Sequence, residues 1–149
     1  MNYIICGFSG VGKSTAEHRH NNVFDFESSG YSHIWKPAAM GEKNKEFPKN
    51  YIDALIEHMK EHHNCVYLLS CHKEVRDELK ARDFEYIIVM PHQFHKNEYM
   101  KRWLRRGSSE EFIRSMYDRW DSMIRSCEED SSPKIYLDEK EYINDVLPM

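Results

Sequence analysis

The sequence predicts a single α/β domain built on a mostly parallel sheet with helices on both faces. Three observations predict it. A glycine-rich loop, Gly7-Phe8-Ser9-Gly10-Val11-Gly12-Lys13-Ser14-Thr15, directly follows the apolar run Tyr3-Ile4-Ile5-Cys6 and opens a helical stretch. Beyond it, apolar runs of strand length alternate with segments of helical period to the end of the chain, as in sheets whose parallel strands are joined by helical crossovers. At 149 residues the chain has the size of one domain, and a domain of that size buries about 70% of its unfolded surface without staples.

The loop fits G-x-x-x-x-G-K-[ST], the phosphate-binding signature, in the strand-then-helix context that it requires. Glycine is needed there because amide N–H groups must turn inward toward a polyphosphate, where a Cβ would intrude. Gly7, Ser9, Gly10, Val11, Gly12, Lys13, Ser14 and Thr15 form the expected nucleotide cradle. Lys13 is expected to reach the β- and γ-phosphates of ATP and the Ser14 hydroxyl to ligate Mg²⁺. The helix that follows, over 13–20, adds its positive end.

In chain order, Val23-Phe24-Asp25-Phe26 reads as a second strand, and residues 27–49 show no period. That polar stretch with scattered Tyr31, His33 and Trp35 is long enough to be a functional loop enclosing an acceptor. Asn50 reads as the cap of a helix whose stripe is Tyr51, Ile52, Leu55, Ile56 and Met59. Residues 65–70 are a nearly continuous apolar run, as expected of a parallel strand covered on both faces. A helix with Val75 and Leu79 inward follows, then a strand over 86–90 stopped by Pro91.

From Lys96 a helix carries Tyr99, Met100, Trp103 and Leu104 on one side, which makes Trp103 a core residue, and it ends at Gly107. Ser108 with Glu111 opens a long helix with the stripe Phe112, Ile113, Met116, Tyr117, Trp120, Met123 and Ile124. A strand over 134–137 and a helix over 141–147 complete the chain. Residues 96–112 are the expected lid.

Asp25 stands at the carboxyl end of the second strand, where ligands of open parallel sheets gather. A carboxylate there holds a metal-bound water or accepts the proton of an attacking hydroxyl. Arg102 and Arg106 lie in a basic run with helical spacing, suited to the charge that phosphoryl transfer spreads over equatorial oxygens. Arg76, one turn into the helix after the central strand, is a candidate grip for an anionic acceptor. Ser28 and Ser29 are candidate acceptor contacts. The competing reading of these arginines is a solvated helix face.

Composition narrows the function classes. Lys+Arg 21 against Asp+Glu 25 gives a net charge of −4, with no global pull on nucleic acid or an anionic membrane. The four cysteines show no C-x-x-C spacing and the nine histidines no paired zinc spacing. Reduced thiols, the lack of a signal segment and the lack of a membrane-length apolar run point to a cytoplasmic protein. No strand ends in the apolar-run-plus-Asp of many P-loop ATPases, since the candidate ends Leu69-Ser70-Cys71, and no Asn-Lys-x-Asp motif reads guanine.

The loop at Gly7 to Thr15, the second-strand Asp25 and the basic helix–Gly–helix segment from Arg102 to Ser109 together resemble the P-loop small-kinase superfamily of nucleoside monophosphate, shikimate and gluconate kinases. Ser70-Cys71-His72-Lys73-Glu74-Val75-Arg76-Asp77-Glu78-Leu79 is similar to a segment of gluconate kinases, and the whole chain resembles small P-loop proteins of bacteriophages. The resemblance implies a five-stranded parallel sheet of order 2-3-1-4-5. It also implies ATP and Mg²⁺ at Gly10, Gly12, Lys13, Ser14 and Thr15, Asp25 at the acceptor or metal, and Arg102 and Arg106 as lid arginines. The activity it implies is phosphoryl transfer from ATP to a small acceptor, with a nucleoside or deoxynucleoside monophosphate first. A regulatory nucleotide-binding or phage host-interaction protein with little turnover is the alternative, and a gluconate-, shikimate- or polynucleotide-end kinase the second. Two departures bear on the acceptor. Adenylate kinases carry Asp-Gly-Phe-Pro-Arg where this chain has Ser70-Cys71-His72-Lys73, and gluconate kinases carry Asp-Gly-Asp where it has Asp25-Phe26-Glu27.

Overall fold

Strand β1 (Tyr3–Gly7) is buried along all but its first residue and is flanked on both sides by parallel neighbours, β5 (Val66–Ser70) and β6 (Ile87–Pro91). Its side chains and those of β5 meet helices above and below the sheet, which is why both strands read as continuous apolar runs rather than alternating ones. The computed structural model describes residues 1–36 and 39–147. It places β2 (Val23–Asp25) outside β5 and β7 (Lys134–Leu137) outside β6, in a five-stranded sheet of order β2-β5-β1-β6-β7.

The expected numbering 2-3-1-4-5 differs from this because two further strands precede β5 in the chain. Within the stretch read as a loop lie a one-turn helix α2 (Ser29–Ser32) and the strands β3 (His33–Lys36) and β4 (Ala39–Lys43), which pair antiparallel as a separate two-stranded sheet. Pro37, Ala38 and the Trp35 side chain, all part of the expected acceptor loop, lie outside the described residues.

Helix α1 (Lys13–Arg19) follows the glycine loop, and α3 (Lys49–Lys60) buries Tyr51, Ile52 and Leu55 against the sheet. Asn50 is not its cap. Its amide nitrogen donates to the Tyr31 carbonyl at 2.9 Å, tying α3 to α2. Helix α4 (Lys73–Ala81) turns Val75 and Leu79 inward as its spacing predicts.

Helix α5 (Lys96–Arg105) is anchored in the core by Tyr99 and Trp103, neither of which is exposed, so the part of the expected lid that lies free above the sheet is the turn after it. Gly107, at a φ of 82°, takes the left-handed conformation that ends the helix, and the Ser108 amide closes the turn on the Trp103 carbonyl at 3.0 Å. Ser109, not Ser108, caps the next helix by accepting from the Phe112 amide.

That next helix is two, α6 (Glu110–Asp118) and α7 (Trp120–Glu129), broken at Arg119. Their apolar stripe runs on through the break, so the periodicity alone concealed it. The C-terminal helix expected over 141–147 is a single 3₁₀ turn, Ile143–Asp145, because the Ile143 amide bonds instead to the Val11 carbonyl at 2.8 Å. Around Phe8 the rings of Tyr99 and Trp120 meet edge-on at 6.1 and 5.3 Å. Burying a side chain such as Phe8 contributes about 1.5–3 kcal/mol, so this cluster fixes the base of the glycine loop.

Candidate functional site

A cleft of about 870 Å³ opens at the carboxyl ends of β1, β2 and β5, where Gly7, Asp25 and Ser70 stand. Gly7 pairs with Ser70 across the sheet, so the end of the first strand and the end of the central neighbour share one floor. Of the expected cradle, Gly7, Ser9, Gly10, Gly12, Lys13, Ser14 and Thr15 line the cleft, while Val11 is fully buried beneath the loop and holds it down.

Gly10 and Gly12 have φ of 95° and 94°, the left-handed region where L side chains are strained. A Cβ on Gly12 would also stand 2.9 Å from Tyr142 Cδ1, and one on Gly10 would stand 3.0 Å from Trp103 Nε1. Among the described residues no carbonyl accepts from the amides of Gly10, Gly12, Lys13 or Ser14, which leaves them for an anion. Lys13 Nζ is folded back on the Gly7 carbonyl at 2.8 Å, across the mouth of the cradle.

Arg102 does not act as a lid arginine. All five of its N–H groups are engaged: Nε with Glu98, one terminal nitrogen with the Gly10 carbonyl and the Tyr99 hydroxyl, the other with the carbonyls of Glu139 and Glu141. Its guanidinium also lies 3.9 Å from the Tyr142 ring centroid. It is buried and braces the cradle against the C-terminal turn. Arg106 differs. It is exposed, bonds the hydroxyls of Ser108 and Ser9 at 2.7 and 3.1 Å, and keeps N–H groups over for a ligand.

Arg76 lines the cleft as expected but is not free to grip an acceptor. It is buried and donates to the Cys71 carbonyl, to the Ser126 carbonyl and hydroxyl, and to Asp130 Oδ2 at 2.9 Å. The Ser126 and Asp130 partners, 50 and 54 residues away, are hidden from a local reading of the sequence. Ser28 is buried and lines the cleft, whereas Ser29 stands outside that wall with its amide on Glu27 Oε1 at 2.8 Å.

Asp25 ends β2 and lines the cleft. Among the described residues, its Oδ1 and the Ser70 hydroxyl are buried without a hydrogen-bond partner. Burial raises the Asp25 pKa above the usual carboxylate value, against the opposing charge of Lys13 and with help from Glu27 and Glu17. Buried polar atoms are normally paired, so two orphans facing one cleft mark a place for a ligand or its water.

The far wall was not read from the sequence. Arg119, at the break between α6 and α7, lines the cleft with Ser122, Met123 and Cys127, and Tyr142 covers Gly12 from the C-terminal turn. Burial lowers the pKa of His72 beside them. A hydrogen bond from the Cys127 thiol, with Lys13 and Arg76 nearby, outweighs burial and brings Cys71 down to about 7, while the same bond and burial push Cys127 up. Ser70 was within reach of the sequence reading as the end of a strand beside the glycine loop. Arg119 gave no signal inside an unbroken helical stripe.

No family model and no curated protein sequence matches the chain. A solved structure does: the tunicamycin resistance protein of Deinococcus radiodurans, at a TM-score of 0.62 and 18% identity, over 97% of this chain and 90% of that one. The chain shares the α/β fold of that protein. At that identity the likeness speaks for the fold, and the site rests on the residues described above. No helix among the described residues is long and apolar enough to cross a membrane, and no group of three or more His, Cys, Asp or Glu side chains is placed to hold a metal ion.

Proposed function

We propose that the protein binds ATP with Mg²⁺ at the Gly7–Thr15 loop and transfers the terminal phosphoryl group to a hydroxyl of a small acceptor. The observation that carries this reading is Asp25 Oδ1, a buried carboxylate oxygen with no partner, across the cleft floor from the glycine cradle. The donor half supplies unpaired amides and Lys13, which leaves the Gly7 carbonyl to meet the β- and γ-phosphates. Ser14, exposed at the start of α1, offers the hard oxygen donor that Mg²⁺ prefers. When bound, the ion neutralises charge on the β- and γ-phosphate oxygens.

Asp25 accepts the proton of the acceptor hydroxyl as its oxygen forms the new bond to phosphorus, and the bond to the leaving ADP oxygen breaks. Arg106, tethered to Ser9 of the cradle, turns its remaining N–H groups to the transferring group.

The resemblance in sequence puts a nucleoside monophosphate first among acceptors, and the geometry favours an alcohol. Arg76 is engaged with Asp130, and two carboxylates, Asp25 and Glu27, face the acceptor half, where they repel a phosphate. Arg119 on the far wall leaves room for one anionic group on that alcohol, as in a hydroxy acid. The test is ADP release from Mg·ATP with polyols, hydroxy acids such as shikimate and gluconate, and nucleoside monophosphates, with Lys13→Ala and Asp25→Asn alongside. Stimulation by a hydroxyl compound, lost in both variants, is expected. Stimulation by nucleoside monophosphates alone overturns the acceptor, and failure of all acceptors with intact ATP binding overturns the kinase reading.

A further inference from the structure

The acceptor half of the cleft contains two sulfur atoms that the phosphoryl-transfer reading leaves unused. Cys71 follows the last residue of β5 and is partly exposed, and Cys127 lies in α7, yet both line the same wall. The two thiols act on each other's ionisation, lowering the pKa of Cys71 and raising that of Cys127. The backbones that carry them are held together by one side chain. Arg76 donates through Nε to the Cys71 carbonyl at 2.9 Å, and through its terminal nitrogens to the Ser126 carbonyl at 3.2 Å and hydroxyl at 2.6 Å, one residue before Cys127. Asp130 fixes that guanidinium from the next turn of the chain. The pair is therefore built into the fold, not brought together by mobile side chains.

The other two cysteines lack this setting. Cys6 is buried in the middle of the sheet, and Cys65 is buried with its thiol on the His63 carbonyl at the opposite, amino end of β5. Only Cys71 among the four is more than slightly exposed, and it faces Lys13, Arg76 and an S–H donor, surroundings that favour a thiolate.

We propose that Cys71 and Cys127 form an oxidisable dithiol in the acceptor wall, with Cys71 the thiol that attacks a hydroperoxide and Cys127 the thiol that resolves it. The Cys71 sulfur displaces one peroxide oxygen, so that an S–O bond forms, the O–O bond breaks, and the leaving alkoxide or hydroxide takes the thiol proton. Cys127 then attacks the sulfenic sulfur. An S–S bond forms and the S–O bond breaks, with water leaving. The two sulfurs give up two electrons and the peroxide takes them. A thiol reductant reverses the change. The disulfide ties the turn after β5 to α7 beside Ser70, on the floor that Ser70 shares with Gly7.

The experiment uses the full chain, treated with hydrogen peroxide at neutral pH and mapped by mass spectrometry. The expected product is a Cys71–Cys127 disulfide with Cys6 and Cys65 still reduced, and reversal by dithiothreitol. Cys127→Ser is expected to stop at a sulfenic acid on Cys71 that a dimedone probe captures, and Cys71→Ser to give neither product. Oxidation of Cys65 or Cys6 at a rate within about threefold of Cys71 overturns the assignment, since reactivity follows thiolate character and exposure. So does a Cys127→Ser variant that yields no sulfenic acid. Circular dichroism of each variant separates this from unfolding. The mapping requires no turnover, so it succeeds or fails independently of the kinase reading.

Discussion

Arg102 donates to the Gly10 carbonyl at 3.1 Å across 92 residues of sequence, and it holds the glycine cradle to the C-terminal turn. Through the carbonyls of Glu139 and Glu141 the same guanidinium closes a brace around a loop that must stay open for a ligand. Arg102→Ala leaves those carbonyls and the Glu98 carboxylate without their donor. Loss of about 3 kcal/mol in urea unfolding is expected, the low end for breaking a buried ion pair, because Glu98 keeps some exposure. Nucleotide affinity falls with it. Arg102→Lys restores the charge and not the fork, so it recovers only a small part of the stability.

Asp130 makes stability depend on acid. Its burial would raise its pKa, but the Tyr86 hydroxyl, the Ser132 amide, Arg76 and Lys80 together hold it well below the usual carboxylate range. A depressed native pKa contributes stability that is complete above the unfolded value of about 3.9 and is lost as pH falls through the native one. Unfolding free energy measured from pH 5 downward should therefore drop more steeply in the wild type than in Asp130→Asn. The variant starts lower, by about 3–5 kcal/mol if Arg76 is left buried without its charge partner.

Asp25 has the opposite sign. Its native pKa is raised by burial, with Glu27 and Glu17 adding to it against Lys13. The folded chain holds this proton more tightly than the unfolded one, so stability from this group is present below the unfolded pKa and lost as pH rises through the native pKa. Asp25→Asn is expected to raise the melting temperature at pH 7 and to give no gain at pH 3, while abolishing acceptor turnover. In the wild type the acid limb of turnover should lie above the ordinary carboxylate value.

Arg106 is exposed, bonded to two hydroxyls and set over the Phe112 ring, 5.2 Å from its centroid, so removing it should spare the fold. Arg106→Ala is expected to keep the wild-type unfolding curve and to reduce kcat by about 10³, the scale at which an arginine stabilises phosphoryl transfer. Matching unfolding curves with unchanged kcat would place Arg106 outside the chemistry.

These contrasts show which features the sequence made legible. The glycine loop, Asp25 and the strand–helix alternation are local patterns, and Tyr99 and Trp103 lie inward as their helical spacing predicts. The roles of Arg102 and Arg76 were hidden, because a basic side chain is read by its neighbours in sequence while its partners here lie up to 92 residues away. The β3–β4 hairpin was missed for a related reason. Its pairing joins His33 to Lys43 with a register shift after His33, and short strands with an irregular register leave no sustained alternation to detect. Ser70 was visible as a strand end, but its importance follows from its pairing with Gly7.

The most direct measurement is calorimetric titration of the full chain with Mg·ATP, in parallel with Lys13→Ala. Saturable binding at one site, weakened at least about tenfold in the variant, about 1.4 kcal/mol, is the predicted result. Absence of binding, or equal affinity in both proteins, would contradict a nucleotide site at the Gly7–Thr15 loop.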